Sequence, residues 1–154
     1  RLRLALNKIR DEYHFIIIDC PPSLNMLTVN ALSASDSVLI PMQCEYYALE
    51  GVAALMNTVE EIRETVNPQL EVEGLIRTMY DPRNSLTRDV SEQLKEYFGD
   101  KLYGSVVPRN VRLAEAPSHG LPALIYDHRC TGSEAYIDLA RELIGRLPDR
   151  KVAA

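Results

Sequence analysis

No apolar run in this chain approaches the roughly 20 residues that a membrane-spanning helix needs, and no secretory leader pattern is visible. The three cysteines, Cys20, Cys44 and Cys130, are odd in number and far apart. That pattern excludes a disulfide framework and the usual zinc spacings; reduced thiols in a cytosolic protein are expected. Internal repeats, low-complexity segments and linkers are also missing, so a single domain is expected. The glycines at 51, 74, 99, 104, 120, 132 and 145 are scattered, with no G-K-T or G-K-S among them. A phosphate-cradling glycine loop is therefore not part of these residues. Nor is positive charge in excess: the net charge is -5, which argues against a protein coating nucleic acid over its whole surface.

The charge is uneven, however. Residues 77–129 carry 8 Lys/Arg against 7 Asp/Glu, and the remainder 9 against 15. A polyanion site is expected in the later part, as a local patch. With 154 residues, 46% hydrophobic and 25% charged, the composition suits one globular α/β domain with a sizeable core. The first residue is Arg1, and "RLRLALNKIRDEY" has helical spacing at Leu2, Leu6, Ile9 and Tyr13 without a preceding cap. The expectation is a chain that starts inside an element, the later part of a larger domain.

Helices and strands alternate. "FIIID" ends an expected strand at 14–19, and its all-apolar composition suits a strand covered on both faces. A helix over 25–35 follows, then a strand at 36–42 and a helix whose face holds Leu49, Val52, Met56, Val59, Ile62 and Val66. Another strand is expected at 71–79, an amphipathic helix at 86–99 closed by Gly99, and a fourth strand at 101–108. The spacing of Thr131 and Glu134 suits a capping box. It would open a last helix to about Leu147 with Tyr136, Ala140, Leu143 and Leu147 buried. The fold class is α/β, a doubly wound, mostly parallel sheet flanked by helices. In such sheets ligands bind at the carboxyl ends of strands. Here those exits read "DCPPSL", "PMQCEYY", "TMYDPRN" and "PRNVRLAEAPSHG".

Asp19, leaving the first apolar run, has two readings. It is a turn residue accepting nearby backbone N–H groups, or it holds Mg²⁺ beside a nucleotide phosphate, directly or through water. Pro21 and Pro22 fix φ and remove two donors. They make either a plain rigid turn or a stiff arm able to report on a γ-phosphate.

Together, "FIIIDCPPSLNMLTVNAL", "IPMQCEYYALEG", "VPRNVRLAEAPSHG" and "AYIDLA" resemble the ParA/Soj-type chromosome- and plasmid-partitioning ATPases. These are P-loop proteins of the deviant Walker A group, which includes MinD. The likeness runs from about residue 3 to residue 146. The family's loop K-G-G-x-G-K-T and its D-x-D-P-Q segment do not occur here; in the family both precede the matching region. The resemblance thus implies a P-loop NTPase-like fold without its N-terminal strands. Residues 1–148 would form the C-terminal part of one domain and 149–154 a tail.

The resemblance also assigns roles. Asp19 would bond a Mg²⁺-bound water, with Cys20, Pro21, Pro22 and Ser23 in the switch. Pro108 would pack on adenine of ATP or ADP, backbone around Arg109 and Asn110 would meet its edge, and Thr78 and Met79 would form another wall. Read without the family, Met79 is equally core packing. Gln43 and Glu45 fall on the site edge, with dimer contacts as the one suggested role. Arg83 and Arg112 match family arginines linked to DNA; alone, each reads as a solvated loop charge. His14 and His119 lack a nucleophile partner and read as structural, and Tyr46 and Tyr47 as packing against a helix.

The family implies an ATP-dependent homodimer that binds DNA without sequence specificity in the cytoplasm, on the nucleoid. A ParB/Spo0J-type partner would stimulate hydrolysis, and no membrane would be involved. No catalytic residue is assigned, and without the phosphate loop these residues alone are expected to be inactive. One rival is a MinD-like membrane-attached division-site ATPase, which needs a basic amphipathic tail that "LPDRKVAA" does not supply. An iron–sulfur reductase of the same superfamily would need paired cysteines. A non-enzymatic regulatory half-domain is the remaining alternative.

Overall fold

A computed structural model describes residues 1–21 and 25–147. The elements in chain order are α1 (Leu2–Leu6), α2 (Met26–Ala34), β1 (Ser37–Gln43), α3 (Ala48–Thr65), β2 (Glu71–Tyr80), α4 (Ser85–Phe98), β3 (Leu102–Pro108), α5 (Val111–Glu115), α6 (Ala123–Tyr126) and α7 (Thr131–Arg146). The strand order is β1-β2-β3, and β3 runs parallel to β2. At its start β2 bonds to the residue just before β1, Glu71 N–H donating to Asp36 O (3.1 Å). At its end Thr78 Oγ1 donates to Met42 O (3.1 Å). The two strands therefore also run the same way, and the protein is a parallel α/β sheet flanked by helices, as expected.

The chain divides into two compact units, one of residues 1–39 and 49–73, the other of 40–48 and 74 onward. In the first, Leu32, Val59, Ile62 and Leu70 form a buried cluster with Val29, Val38 and Val72 against it. Asn67 is buried there without penalty, because its Nδ2 donates to Leu32 O (2.9 Å) and Ser35 O (2.8 Å). Asn25 opens α2 by accepting from the N–H groups of Leu27 and Thr28.

In the second unit Leu75, Leu94, Leu102, Tyr103, Val107 and Leu139 are buried. Asn84 caps α4, and Gly99 closes it at φ 50. Gly74 is fixed by a close approach: a Cβ there would lie 2.5 Å from Lys101 O and 2.6 Å from the Tyr103 ring.

Four expectations are corrected. Residues 14–19 are not a strand; they form no ladder, and Phe15 and Ile17 are 50% and 89% exposed. Apolar composition selects a site for a strand, but a strand also needs backbone partners, and no described strand pairs with this segment. The opening helix is one turn, α1, followed by a 3₁₀ turn at Arg10–Glu12, and Ile9 and Tyr13 are exposed. Thr131 does not cap α7. Cys130 is the cap, its Sγ accepting from Ser133 N–H (3.4 Å). Finally, α7 turns Gly132, Ser133 and Leu139 inward and leaves Tyr136 and Ala140 exposed. Gly132 sets that rotation, since a Cβ on it would meet Leu113 at 2.5 Å.

Candidate functional site

In the second unit the ladder between β2 and β3 is irregular where the expected base-side residues lie. Arg77 is level with Val106 and Tyr80 with Pro108, so three residues of β2 advance against two of β3. The extra residue is Met79, whose φ of 51 is left-handed, a conformation that a side chain makes costly. Its side chain is 44% exposed, so the reading of Met79 as core packing is not met. Arg109 N–H continues the ladder beyond Pro108 by donating to Tyr80 O (3.2 Å).

Asn110 then turns the chain. Its Oδ1 accepts from Arg112 N–H (2.8 Å) at the start of α5, and its Nδ2 donates to Thr131 Oγ1 (2.9 Å). Thr131, read from the sequence as a cap, is thus the post that holds the 108–110 loop. Thr78, Met79, Pro108, Arg109 and Asn110 are gathered at the ends of β2 and β3. Thr78 Oγ1 donates to Met42 O and the Asn110 amide is taken by Thr131 and Arg112, so the loop offers backbone groups, apolar surface and the exposed Arg109 side chain.

A depression of about 580 Å³ lies beside this loop, lined by Tyr80, Pro82, Pro108, Thr131, Glu134 and Asp138 among others. Of the five base-side residues only Pro108 lines it. Two carboxylates in its lining, Glu134 and Asp138, disfavour phosphate there.

The two expected DNA arginines are exposed, and both are ion-paired. Arg83 is held by Asp81 two residues before it. Its N–H (3.0 Å) and Nε (2.9 Å) share Oδ1, and Nη2 (2.7 Å) takes Oδ2. Those hydrogen bonds, with the charge of Arg109 adding, hold the Asp81 carboxyl down at about 2. Arg112 lies 2.9 Å from Glu115 and 3.6 Å from Asp127, and Glu115 also accepts from the Tyr126 hydroxyl (3.2 Å). His119 stacks on Tyr126 with ring centroids 4.8 Å apart, in line with its structural reading. Tyr46 and Tyr47 do not pack under a helix: they are 73% and 70% exposed and meet edge to face. Burial pushes the Cys44 thiol up against the opposing charge of Arg77, as for an inert core thiol.

In the first unit Asp19 and Cys20 are exposed on the segment outside the sheet, and Cys20 Sγ lies 3.8 Å from Ile18 O. Pro21 follows, while Pro22 and Ser23 of the expected switch lie outside the described residues. Among the described residues no group of three or more His, Cys, Asp or Glu gathers to hold a metal. One accessible carboxylate fits the outer-shell role, because Mg²⁺ keeps waters and takes few protein ligands. When bound, the ion would supply charge stabilisation for phosphates. No helix among the described residues is long and apolar enough to cross a membrane.

The comparisons with known proteins agree with this architecture. The AAA domain family matches residues 1–72. The chromosome partitioning protein ParA of Caulobacter vibrioides is 54% identical across 100% of this chain and 58% of its own length. The sporulation initiation inhibitor protein Soj of Bacillus subtilis is 56% identical across 93% of this chain and 56% of its own. The chain therefore spans a little over half the length of these relatives. Among solved structures, the cobyrinic acid a,c-diamide synthase of Mycobacterium smegmatis with bound ATP analog and magnesium superposes with a TM-score of 0.77. It is 31% identical and is matched over 93% of this chain and 52% of that one. This chain belongs to the ParA/Soj family of chromosome-partitioning ATPases.

Proposed function

We propose that this chain supplies the base-side, switch and DNA-contacting parts of a partitioning ATPase acting in chromosome or plasmid segregation. The observation that carries the proposal is identity above 50% to ParA and Soj proteins over nearly the whole chain. In this reading ATP is held with Mg²⁺, Asp19 accepts from a water of the ion, and Cys20 to Ser23 follow the γ-phosphate. Pro108 packs on the purine beside Met79 and Thr78, with the backbone of Arg109 and Asn110 at its edge. The left-handed Met79 and the Asn110–Thr131 clasp support that role, because both fix the loop before any ligand arrives. ATP drives homodimerisation, Arg83 and Arg112 meet DNA phosphates without reading sequence, and a ParB/Spo0J-type partner stimulates hydrolysis.

Phosphoryl transfer rests on positioning and charge stabilisation by a phosphate loop, its lysine and Mg²⁺. The 154 residues alone should therefore release no phosphate from ATP above background. Fused behind the phosphate-loop portion of Caulobacter ParA, they should hydrolyse ATP and retain duplex DNA in an ATP-dependent way. Arg83→Glu with Arg112→Glu in that fusion should abolish DNA retention and leave ATP binding intact. DNA retention unchanged in the double variant overturns the assigned surface. Co-sedimentation with liposomes, which is not expected, would favour the MinD-like alternative.

A further inference from the structure

The turn between β2 and α4 reads Asp81-Pro82-Arg83-Asn84, and both of its charges are fixed by its own geometry. Asp81 O accepts from Asn84 N–H (3.1 Å), closing the turn, and Asn84 Oδ1 accepts from Leu86 N–H (3.0 Å), tying the turn to α4. On that base Asp81 takes one backbone and two side-chain donors from Arg83. Other arginine–carboxylate pairs on helix surfaces, Arg63–Glu60 and Arg141–Asp138, show a single bond each at 2.9 Å. The Arg83 side chain is nonetheless 88% exposed. Its guanidinium presents two N–H groups, a fork, to a carboxylate in the way it would to a phosphate, since each ligand offers two oxygens to bidentate pairing.

We propose that Asp81 is a built-in competitor of nucleic-acid phosphate for Arg83, placed so that this surface grips a polyanion only weakly and lets it go. The proposal rests on the reading of Arg83 as a DNA contact and adds what regulates that contact. An incoming phosphate must take the fork from Asp81 and then sit beside the displaced carboxylate. Exposed ion pairs are weak and labile, so the exchange is open to DNA at modest cost. Yet the acid stays charged through the whole working pH range, and its repulsion persists after displacement. Arg112, shared between Glu115 and Asp127, is compensated in the same way. Two arginines that would each add strongly to DNA affinity are thereby reduced to contacts that diffusive exchange can break.

The test is fluorescence anisotropy of a labelled mixed-sequence duplex with the ParA fusion in the presence of ATP, over about 50 to 200 mM salt. Wild type is compared with Asp81→Asn, Arg83→Glu and the two combined. Asn keeps the oxygen that accepts Arg83 N–H, so the turn survives while the charge goes; Asp81→Ser serves as a second neutral variant. Asp81→Asn should tighten binding several-fold and steepen the slope of log K against log salt by up to about 1. In the Arg83→Glu background the same change should give a much smaller gain, the part owed to bulk charge alone.

Weaker binding by both neutral variants would mean that the acid positions Arg83 and would overturn the proposal. An equal gain in the Arg83→Glu background would do the same, as bulk charge would then suffice. If Arg83→Glu weakens binding but neither neutral variant changes it, the competitor idea fails and the DNA reading stands. If no protein binds, or Arg83→Glu has no effect, the DNA reading itself fails. Melting temperatures of all variants confirm that folded chains are being compared.

Discussion

Residues 14–19 in the first unit and β3 in the second are both short segments suited to strands, and they meet opposite fates. The first is the more apolar, yet it lies without a ladder and exposes Phe15, Ile16 and Ile17. The second contains Gly104 and Ser105, poor strand residues, yet it is secured on every side. Between Leu102 and Val106 it advances four residues against two of β2. The bulge leaves two consecutive amides to be satisfied. Glu142 of α7 takes both, from Gly104 N–H (2.8 Å) and Ser105 N–H (2.7 Å). Arg146 joins Glu142 (2.7 Å), donates to Asp100 O and Leu102 O, and covers the Tyr103 ring at 4.0 Å. From the β2 side, Arg77 donates to Tyr103 O (2.8 Å), Gly104 O (3.1 Å) and Ser91 Oγ (2.9 Å). The difference teaches that satisfied backbone groups, more than apolar composition, decide where a strand is held. A sheet edge can be closed by side chains as well as by another strand.

The largest effect should come from pressing on the β2–β3 contact itself. Gly74→Ala places a methyl group against backbone oxygen and the buried Tyr103 ring, neither of which can rotate away. A loss of about 3 kcal/mol or more is expected by urea unfolding. A near-neutral result would show that the strands are looser than their packing implies.

Next comes the clasp on the bulge. Burial works against ionisation of Glu142, but the amides of Ser105 and Gly104 and the Arg146 guanidinium outweigh it and hold the carboxyl at about 2. A folded value below the ordinary 4.5 means that the unfolded chain binds the proton more readily. The stabilisation is thus complete above about 4.5 and drains away as the pH falls from there toward 2. Glu142→Gln should cost about 1–3 kcal/mol at neutral pH and flatten the acid limb of the stability profile. An unchanged acid limb would remove Glu142 from the account of how β3 is held.

A smaller change, of opposite sign, is expected at the second irregularity of the ladder. Met79 pays for a left-handed φ of 51, roughly 1–2 kcal/mol for a residue with a side chain. Glycine relieves that strain but frees the unfolded chain by about 0.5–1 kcal/mol. Met79→Gly should therefore stabilise by up to about 1 kcal/mol, read as a rise in melting temperature. If the strain serves the purine-side loop, the same variant in the ParA fusion should bind ATP less tightly.

These cases mark what was legible in the sequence. Alternation of apolar runs with amphipathic stretches foretold the parallel α/β class and the places of β1, β2, β3, α2, α3, α4 and α7. Motifs at strand ends foretold which loops would gather at 78–79 and 108–110. What escaped was anything set by a partner distant in sequence. The inward face of α7 depends on Gly132 against Leu113. The role of Thr131 depends on Asn110, 21 residues away. The Glu142 clasp had a trace in the i,i+4 spacing to Arg146, but only the bulge explains it. The Asp81–Arg83 pair lies within "YDPRN", but spacing alone does not say that Asp81 turns back onto Arg83.

The smallest expected effect is the sharpest test of the comparison. Ile17 is 89% exposed, so replacing it removes almost no area from contact, and burial free energy scales with that area at about 25 cal/mol per Å². Ile17→Lys should change the stability of the 154-residue chain by no more than about 0.5 kcal/mol, measured by urea unfolding at neutral pH. In the ParA fusion, where other strands are available to pair with 14–19, the same charge should become costly, since a buried lysine without a partner is strongly disfavoured. The ratio of the two losses reads how much of this segment's strand character is supplied by its neighbours. A large loss already in the isolated chain would mean that Ile17 is covered there, and that the two segments differ less than their surroundings imply.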